Sequence, residues 1–296
     1  MTVFCSGFVG ILGRPNVGKS TLLNHVCHDK VAIISEKPQT TRNRILGVLH
    51  RPGSQIVFLD TPGMHEDAKA LNRYMQGVIR RVAEDVDIIV YMVDVTREHG
   101  REDELALSIL KENKDIPVVL AVNKIDKAVD EQINKRLKFL EEKFQFSGAC
   151  TISALRGTGV DELLEMITSH LQEGVPFFPE DMVTDQPLGF ALSEIIREKL
   201  FELTMEEVPY STAVVVEEIS TEREDIIEVS AIVYVERETQ KRIIIGKGGR
   251  MLRDVGTAAR LDMEKKLGKK IYLQLWVKVK RGWTDREGLL RQMGYN

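Results

Sequence analysis

One eight-residue segment, Gly13–Ser20, restricts the fold of this chain more than any other feature of the sequence. It matches the pattern G-x-x-x-x-G-K-[ST], and it lies between an apolar run, Phe8–Leu12, and a helical pattern at about 20–27. Its glycines let backbone N–H groups converge on phosphate oxygens at a helix N-terminus, Lys19 adds positive charge, and Ser20 can ligate Mg²⁺. The segment therefore predicts a phosphate-binding loop between a buried strand and a helix.

The first half of the chain repeats a short apolar run, a loop and a longer stretch with helical spacing, which predicts parallel strands joined by crossover helices. One pair differs, because Arg51–Gln55 reads as a hairpin turn that makes Ile45–His50 an antiparallel edge strand beside Ile56–Leu59. The other strands are predicted at Phe8–Leu12, Ile88–Val93, Pro117–Val122 and Cys150–Ile152, and the helices at about 20–27, 70–84, 101–113, 130–144 and 160–172.

The second half follows a different order. A chain of 296 residues exceeds the size at which one core usually keeps growing, so two domains are expected. Residues 174–187 contain three prolines and read as the linker. The sequence thus predicts an α/β domain at 1–173 and a smaller α+β domain at 188–296. The second domain has helices at about 189–204 and 250–267, strands at about 212–219, 227–236 and 271–279, and an ambiguous run ending at Ile245.

Charge is distributed unevenly along a chain whose net charge is only −4. Residues 188–240 carry a net charge of −9, whereas residues 241–296 carry +10. A positive block in an acidic protein is typical of a surface that binds a polyanion. A solvated charged face remains the alternative.

The cysteines and the apolar segments indicate a cytoplasmic protein. Cys5, Cys27 and Cys150 lack the close pairs typical of a disulfide framework or a zinc site. The sequence shows neither a signal-peptide pattern nor an apolar segment long enough to cross a bilayer. Peripheral contact with the inner face of the cell membrane stays open.

Two more segments fit a nucleotide pocket. The turn Asp60-Thr61-Pro62-Gly63 ends a buried strand, where the Asp60 carboxylate can reach the Mg²⁺ shell and the Gly63 amide can meet the γ-phosphate. The irregular stretch Pro38–Arg42 is typical of a mobile switch, whose threonine hydroxyl joins Mg²⁺ while the γ-phosphate is present. Thr41 is the first choice and Thr40 the second, with a plain polar loop as the alternative.

The segment Asn123-Lys124-Ile125-Asp126 predicts the base that is bound. The Asp126 carboxylate can accept hydrogen bonds from the N1–H and N2–H₂ edge of guanine, whereas adenine would leave it unpaired. Ile152-Ser153-Ala154 resembles the fifth guanine-nucleotide element, in which the Ala154 N–H contacts the base oxygen. These elements in this order predict GTP rather than ATP.

Together, these motifs resemble the Era family of ribosome-assembly GTPases. The likeness continues through Ser193–Lys199, Val208–Ser211, Ile245–Gly249 and Leu275–Lys280, which occur in the family's order. It implies a P-loop GTPase domain with a mostly parallel sheet, followed by a type II KH domain. It also implies binding near the 3′ end of 16S-type small-subunit rRNA and a role in 30S ribosomal subunit assembly and rRNA maturation. A monomer is expected.

The expected contacts follow from the motifs and from this resemblance. For GTP/GDP they are Gly13, Arg14, Pro15, Asn16, Val17, Gly18, Lys19, Ser20, Thr21, Thr40, Thr41, Asp60, Thr61, Pro62, Gly63, Asn123, Lys124, Asp126, Ser153 and Ala154. The Mg²⁺ ligands are Ser20, Thr41 and Asp60, and the catalytic contacts are Lys19, Thr41 and Gly63. For RNA they are Ile245, Gly246, Lys247, Gly248, Gly249, Arg250, Lys269 and Lys270.

The RNA site depends on a short G-x-x-G loop, Gly246–Gly249, which in a KH fold clamps the nucleic-acid backbone. A simple turn is the alternative, but the loop opens the +10 segment. Trp276 and Trp283 are candidates for stacking on bases, but Trp276 lies in an alternating strand that predicts a half-buried core position, so stacking by either tryptophan is not expected.

Hydrolysis is expected to be slow. Many GTPases place a water-orienting glutamine after the Asp-x-x-Gly element, where this chain has Met64. The neighbouring His65 is expected to be inert, and Asn16 resembles the asparagine that binds K⁺ in related GTPases. One alternative is an RNA-binding module with GTP as a structural cofactor. Another is a GTP-dependent RNA-modifying enzyme, for which the sequence shows no candidate nucleophile or cofactor site beyond the nucleotide pocket.

Overall fold

The structure, a computed structural model, describes residues 4–64 and 69–295. The chain forms two compact units that separate between Asp185 and Gln186. Within the described ranges, no helix is both long and apolar enough to span a membrane.

The first unit is an α/β domain. Its strands are β1 (Cys5–Gly13), β2 (Ile45–Arg51), β3 (Ser54–Asp60), β4 (Ile88–Asp94), β5 (Val118–Asn123), β6 (Gly148–Ile152) and β7 (Gln172–Glu173). Its helices are α1 (Lys19–Cys27), α2 (Ala70–Asp85), α3 (Arg101–Glu112), α4 (Asp130–Lys143) and α5 (Val160–His170).

These strands form one sheet in the order β2-β3-β1-β4-β5-β6. All neighbours are parallel except β2, which pairs antiparallel with β3, and β7, which pairs antiparallel with the start of β1. The predicted antiparallel edge strand is therefore confirmed. The short strand β7 was missed, because helix α5 ends at His170 and the chain then turns back beside Cys5 and Ser6.

Parallel sheets are buried on both faces, and this one positions the functional loops at one edge. Strands β3, β4 and β5 are buried over their whole length. Because the carboxyl ends of parallel strands meet at the same edge, the loops after β1, β3, β5 and β6 lie together. All four predicted nucleotide motifs follow one of these strands.

The segment after β7, defined here as the strap (residues 175–185), is held along β2 and β3. The Gln55 side-chain oxygen accepts a hydrogen bond from the Phe177 backbone N–H (2.7 Å). The Val48 N–H donates a hydrogen bond to the Val183 carbonyl (2.8 Å). The Thr184 hydroxyl donates to the Leu46 carbonyl (2.7 Å). The segment expected as the interdomain linker thus packs on the first unit as far as Asp185.

The second unit is a three-stranded α+β domain, with sheet order β10-β9-β8. Strand β10 runs parallel to β9, and β8 runs antiparallel to it. Its elements are α6 (Leu188–Leu203), β8 (Ala213–Arg223), β9 (Ile226–Val235), α7 (Glu238–Ile245), α8 (Arg250–Leu267), β10 (Lys270–Val279) and α9 (Glu287–Gln292). The run that the sequence left ambiguous is helix α7.

The core of this unit lies on one face of its sheet. Alternate residues of β9 and β10, such as Val229, Ala231 and Val277, pack against Leu192 of α6 and Val255 of α8. Apolar residues alternate along the strands and recur at helical spacing along the helices. This pattern explains why the sequence predicted this domain.

Candidate functional site

The phosphate loop joins β1 to α1 through two glycines in conformations that other residues rarely adopt. Gly13 has φ 154° and Gly18 has φ 107°. A Cβ at Gly13 would lie 2.4 Å from the Met92 carbonyl oxygen, and one at Gly18 would lie 2.3 Å from the Asn123 side-chain nitrogen. Only glycine fits at these two positions, so the loop can hold its backbone N–H groups close to a ligand.

Lys19 is held over this loop. Its Nζ donates to the carbonyls of Gly13 (3.0 Å) and Arg14 (2.9 Å), and its side chain is almost fully buried. Burial lowers the pKa of Lys19 to about 8, although the nearby Asp60 charge acts in the other direction. The ammonium group is therefore pre-positioned for a phosphate.

Ser20, Thr41 and Asp60 converge beside the loop. The Ser20 Oγ donates to Asp60 Oδ2 (2.6 Å) and lies 2.9 Å from Thr41 Oγ1, which is itself 3.4 Å from Asp60 Oδ2. Thr40 points elsewhere, since its hydroxyl donates to the Lys37 carbonyl (2.7 Å).

Asp60 has the properties of a ligand to a hard cation. Its side chain is fully buried, and within the described part of the chain its Oδ1 has no hydrogen-bond partner. Burial raises the pKa of Asp60 to about 6, although the Lys19 charge and the hydrogen bond from Ser20 act against it. A buried carboxylate oxygen without a partner, beside two hydroxyls, fits Mg²⁺, which prefers oxygen ligands.

The base elements are tied to the phosphate loop by Asn123 at the end of β5. Its Nδ2 donates to the Val17 carbonyl (2.6 Å), and its Oδ1 accepts from the Ala154 N–H (2.9 Å). Asp126 Oδ1 accepts from the Ser153 hydroxyl (2.7 Å), and this hydrogen bond is the main reason that the pKa of Asp126 lies below its ordinary value. The carboxylate is therefore held ionised and oriented.

Asp94, at the end of β4, is a functional residue that the sequence reasoning missed. The Lys124 Nζ donates to Asp94 Oδ2 (2.7 Å) and to the Asn16 carbonyl (2.7 Å), so Asp94 positions the lysine against the phosphate loop. Burial alone would raise the pKa of Asp94, but hydrogen bonds from Lys124 and Thr96 bring it below its ordinary value. A signal existed, because Asp94 is the last residue of a buried strand, as Asp60 is.

Some of these groups border a cleft of about 440 Å³. The predicted contacts Asp60, Asn123, Asp126, Ser153 and Ala154 are not among the residues that line it. Its lining includes the phosphate loop, the segment around Thr41, Gly63 and two lysines of the base element, Lys124 and Lys127. Ile33–Glu36 and Arg97 also line it and were not predicted. A cleft of this size, bordered by cations and backbone amides, suits a nucleotide.

The Arg14 side chain is turned away from the cleft. Its Nε lies 2.8 Å from Glu102 Oε2 and its Nη1 lies 3.0 Å from Asp103 Oδ2, both on α3. Arg14 therefore contributes its backbone to the site, while its guanidinium anchors the phosphate loop to α3.

Met64 occupies the position where many GTPases have the catalytic glutamine. It is fully buried and belongs to the hydrophobic core with residues such as Leu12, Leu59 and Val93. His65 lies outside the described residues. Asn16, the predicted K⁺ contact, lines the cleft, and its side chain donates to the Glu36 carbonyl.

In the second unit, the predicted RNA loop joins α7 to α8. Gly246, Gly248 and Gly249 have φ values of 72°, 61° and 78°, which favour glycine. Lys247 and Arg250 are exposed on this loop, and α8 begins at Arg250. A helix N-terminus with flanking cations attracts phosphate groups. Lys269 and Lys270 lie exposed after the other end of α8.

Comparison with known proteins identifies both units. A family described as 50S ribosome-binding GTPases matches residues 8–124, and the KH domain family matches residues 207–284. Over 295 residues the chain is 45% identical to GTPase Era of Staphylococcus haemolyticus, with 100% of this chain and 98% of the relative covered. The chain belongs to the Era GTPase family.

Two solved Era structures match over 99% of both chains at 41% identity. One is an Aquifex aeolicus Era variant bound to GDP and aluminium fluoride, with a TM-score of 0.94. The other is an Era complex with MgGDPNP and nucleotides 1506–1542 of 16S ribosomal RNA, with a TM-score of 0.95. Membership in the Era family confirms the predicted fold, a P-loop GTPase domain followed by a KH domain, and the predicted GTPase activity.

Proposed function

We propose that this chain is a GTP-hydrolysing switch whose KH domain binds the 3′ end of 16S-type rRNA during 30S subunit assembly and rRNA maturation. The observation that carries the proposal is the convergence of Ser20, Thr41 and Asp60 beside Lys19, within a chain that also has a KH domain. The phosphate site and the RNA site then belong to one polypeptide.

The roles at the phosphates follow from the geometry. Lys19 binds the β- and γ-phosphates, and the Gly63 amide contacts the γ-phosphate. Ser20, Thr41 and Asp60 are the proposed Mg²⁺ ligands, supported by their mutual distances and by the unpartnered Asp60 Oδ1. When bound, Mg²⁺ offsets negative charge on the phosphate oxygens. Thr41 is preferred over Thr40, because it lies beside Ser20 and Asp60.

Guanine recognition depends on Asp126. Its carboxylate accepts two hydrogen bonds from the guanine edge, and Ser153 orients it. Asn123 holds the Ala154 turn next to the phosphate loop. The Ala154 N–H now donates to Asn123 Oδ1, and in this proposal it exchanges that acceptor for the base oxygen when guanine binds. Lys124, fixed by Asp94, covers the nucleotide from the base side.

Intrinsic hydrolysis is slow in this proposal, because the buried Met64 thioether cannot orient a water molecule. We propose that Asn16 is a ligand to K⁺, which supplies positive charge near the transferred phosphate. Its place on the cleft wall supports this role.

RNA binding is assigned to the Gly246–Gly249 loop with Ile245, Arg250, Lys269 and Lys270. Three observations support the assignment. The loop contains left-handed glycines, it lies at the start of α8, and it stands near the beginning of the segment with a net charge of +10. The Era structure determined with nucleotides 1506–1542 of 16S rRNA supports the choice of RNA.

The proposal also covers organisation and location. Residues 1–173 act as the GTPase domain, 174–187 as the connection and 188–296 as the RNA-binding domain. The protein works as a monomer in the cytoplasm, with a fraction on the inner face of the cell membrane. Sedimentation analysis and cell fractionation test these two points.

Phosphate release from GTP, measured with and without an RNA of the sequence 1506–1542 of 16S rRNA, tests the proposed switch. We expect slow release alone and faster release with the RNA, since a switch couples the two sites. A rate that stays at the background level in both conditions would favour an RNA-binding module with GTP as a structural cofactor.

Replacing Lys19 by alanine should lower the affinity for both GTP and GDP by about 10- to 100-fold, because a charge-assisted contact worth about 1.5–3 kcal/mol is lost. Isothermal titration calorimetry measures the affinity for each nucleotide. Lys111→Ala, an exposed lysine on α3, is the matched control and should bind normally. Equal affinities for the two variants would remove Lys19 from the phosphate site.

Replacing Met64 by glutamine should not speed up hydrolysis, because the side chain at this position points into the core. The buried amide should instead lower the free energy of unfolding by about 1–3 kcal/mol. Met64→Leu, which nearly conserves volume, should cost less than about 1.5 kcal/mol. Urea unfolding and phosphate release measure the two effects, and a tenfold faster release by the glutamine variant would contradict the expectation.

A further inference from the structure

Strand β10 presents two different faces. Its odd-numbered residues, including Ile271, Leu275 and Val277, pack into the core with α6, α7 and α8. Because strand side chains alternate, the even-numbered residues Tyr272 and Trp276 lie on the opposite face. Neither aromatic residue belongs to the core of this unit.

Both aromatic rings are accessible. Tyr272 is 53% exposed and Trp276 is 46% exposed, whereas Trp283 is fully buried. Large aromatic side chains are usually buried in part, and two of them on one face of a strand form an apolar platform. Trp276 is half-buried, as expected from the sequence, but its ring is not part of the helix-covered core.

Hydrogen bonds orient the Tyr272 ring of this platform. The Gln274 side-chain nitrogen donates to the Tyr272 hydroxyl (3.2 Å), and Gln274 Oε1 accepts from the Ser230 hydroxyl (3.4 Å). Trp276 stands opposite the buried Ile232 of β9. A ring that is already oriented loses less conformational entropy when a ligand stacks on it.

Positive charge flanks the rings. Lys278 lies on the same face of β10, and Lys280 follows directly after the strand. Within the described ranges, neither lysine forms an ion pair with a carboxylate, whereas Lys270 lies 3.7 Å from Glu264. Acidic residues share this face: Glu228 of β9 is the neighbour of Tyr272, and Glu218 of β8 pairs with Ser230. The cations therefore gather at the Trp276 end of the strand.

We propose that Tyr272 and Trp276 form a second RNA contact, on which two unpaired bases stack while Lys278 and Lys280 bind the adjoining phosphates. Aromatic residues on a sheet face stack on bases in a sequence-tolerant way, and lysines supply the charge that single strands require. Four residues of strand separate the backbone positions of Tyr272 and Trp276 by about 13 Å, a span that an extended RNA strand crosses in a few nucleotides. The inference rests on the proposed RNA-binding function.

The platform is distinct from the Gly246–Gly249 loop. That loop joins α7 to α8, whose apolar residues Ile244, Val255 and Ala259 pack on the other face of the sheet. An RNA that reaches both contacts must therefore pass around the edge strand β10. The loop would clamp the backbone, and the platform would bind bases farther along the strand.

Tryptophan fluorescence tests the platform, since the chain has only two tryptophans and they differ in exposure. The probe is an RNA of the sequence 1506–1542 of 16S rRNA, and fluorescence anisotropy of labelled RNA measures its binding separately. We expect quenching of the wild type and of Trp283→Phe, because a stacked base contacts Trp276. The emission of Trp276→Phe should not change when this RNA binds.

Affinity gives a second readout. Trp276→Ala should weaken binding by about 5- to 150-fold, which corresponds to about 1–3 kcal/mol for a stacked base. Trp276→Phe should keep most of the affinity, because phenylalanine can still stack. Met205→Ala removes a side chain that is 76% exposed outside the sheet, and it should bind as the wild type does.

Two results would overturn the inference. If the RNA binds but Trp276 emission stays constant, or if Trp276→Ala binds as tightly as the wild type, the platform does not contact RNA and the Gly246–Gly249 loop still can. If neither the wild type nor Trp283→Phe binds the RNA, the proposed RNA-binding function fails and the inference fails with it. The unchanged emission of buried Trp283 verifies that the Trp276 variants are folded.

Discussion

Replacing Asp126 by asparagine is expected to lower the affinity for GTP by about 10⁴-fold and to create affinity for xanthosine triphosphate. Guanine presents two donors to the carboxylate, whereas xanthine has an acceptor oxygen in place of the amino group. The asparagine amide offers one donor and one acceptor, so it matches xanthine and mismatches guanine. Competition between the two nucleotides for a fluorescent GDP analogue measures the change.

The substitution should leave the local structure intact. Asparagine keeps a side-chain oxygen, which can accept a hydrogen bond from the Ser153 hydroxyl as Asp126 Oδ1 does now. Asp130→Asn is the matched control, because this exposed aspartate begins α4 and belongs to none of the predicted nucleotide motifs. If Asp126→Asn preferred GTP as strongly as this control does, Asp126 would not read the base.

The second large effect is expected at the RNA loop. Replacing Lys247 and Gly248 together by aspartate should lower RNA affinity on the order of a thousandfold, since two negative charges then stand where a phosphate binds. The loop can keep its shape: a Cβ at Gly248 meets nothing within 4 Å, and aspartate tolerates a φ of 61° better than most residues. GTP binding should remain unchanged.

A matched control separates the loop from the general charge of the segment. Arg291 lies exposed on α9 and Gly294 follows that helix, and Gly294 has a φ of 84° with nothing within 4 Å of its Cβ position. Replacing both by aspartate changes the net charge equally. Anisotropy titrations at several salt concentrations should give the loop variant a shallower salt slope than the control. Equal affinities and slopes would mean that the loop is a simple turn.

The nucleotide loops could be predicted because their backbone conformation or their chemistry requires particular residue types at particular positions. Gly13 and Gly18 are required by backbone conformation, and Asn123 and Asp60 end buried strands that must finish at one edge of a parallel sheet. Asp94 could have been found by the same rule, since it also ends a buried strand.

Other features depend on contacts that spacing does not encode. The Arg14 side chain turns to Glu102 and Asp103, residues 88 and 89 positions later in the chain. The choice between Thr40 and Thr41 required the position of Ser20 beside β3. Helix α7 stayed ambiguous because an eight-residue run with three consecutive isoleucines fits either a strand or a helix.

The strap has a practical consequence for studies of the first unit alone. Strand β2 is the edge of the sheet, and residues 182–184 of the strap are hydrogen-bonded to it. The contacts on β2 are the Leu46 carbonyl, the Val48 N–H and the His50 ring. A recombinant fragment that stops at residue 173 would leave this edge bare and free to pair with another chain, which promotes aggregation. A fragment that continues to Asp185 would carry its own cover for the edge.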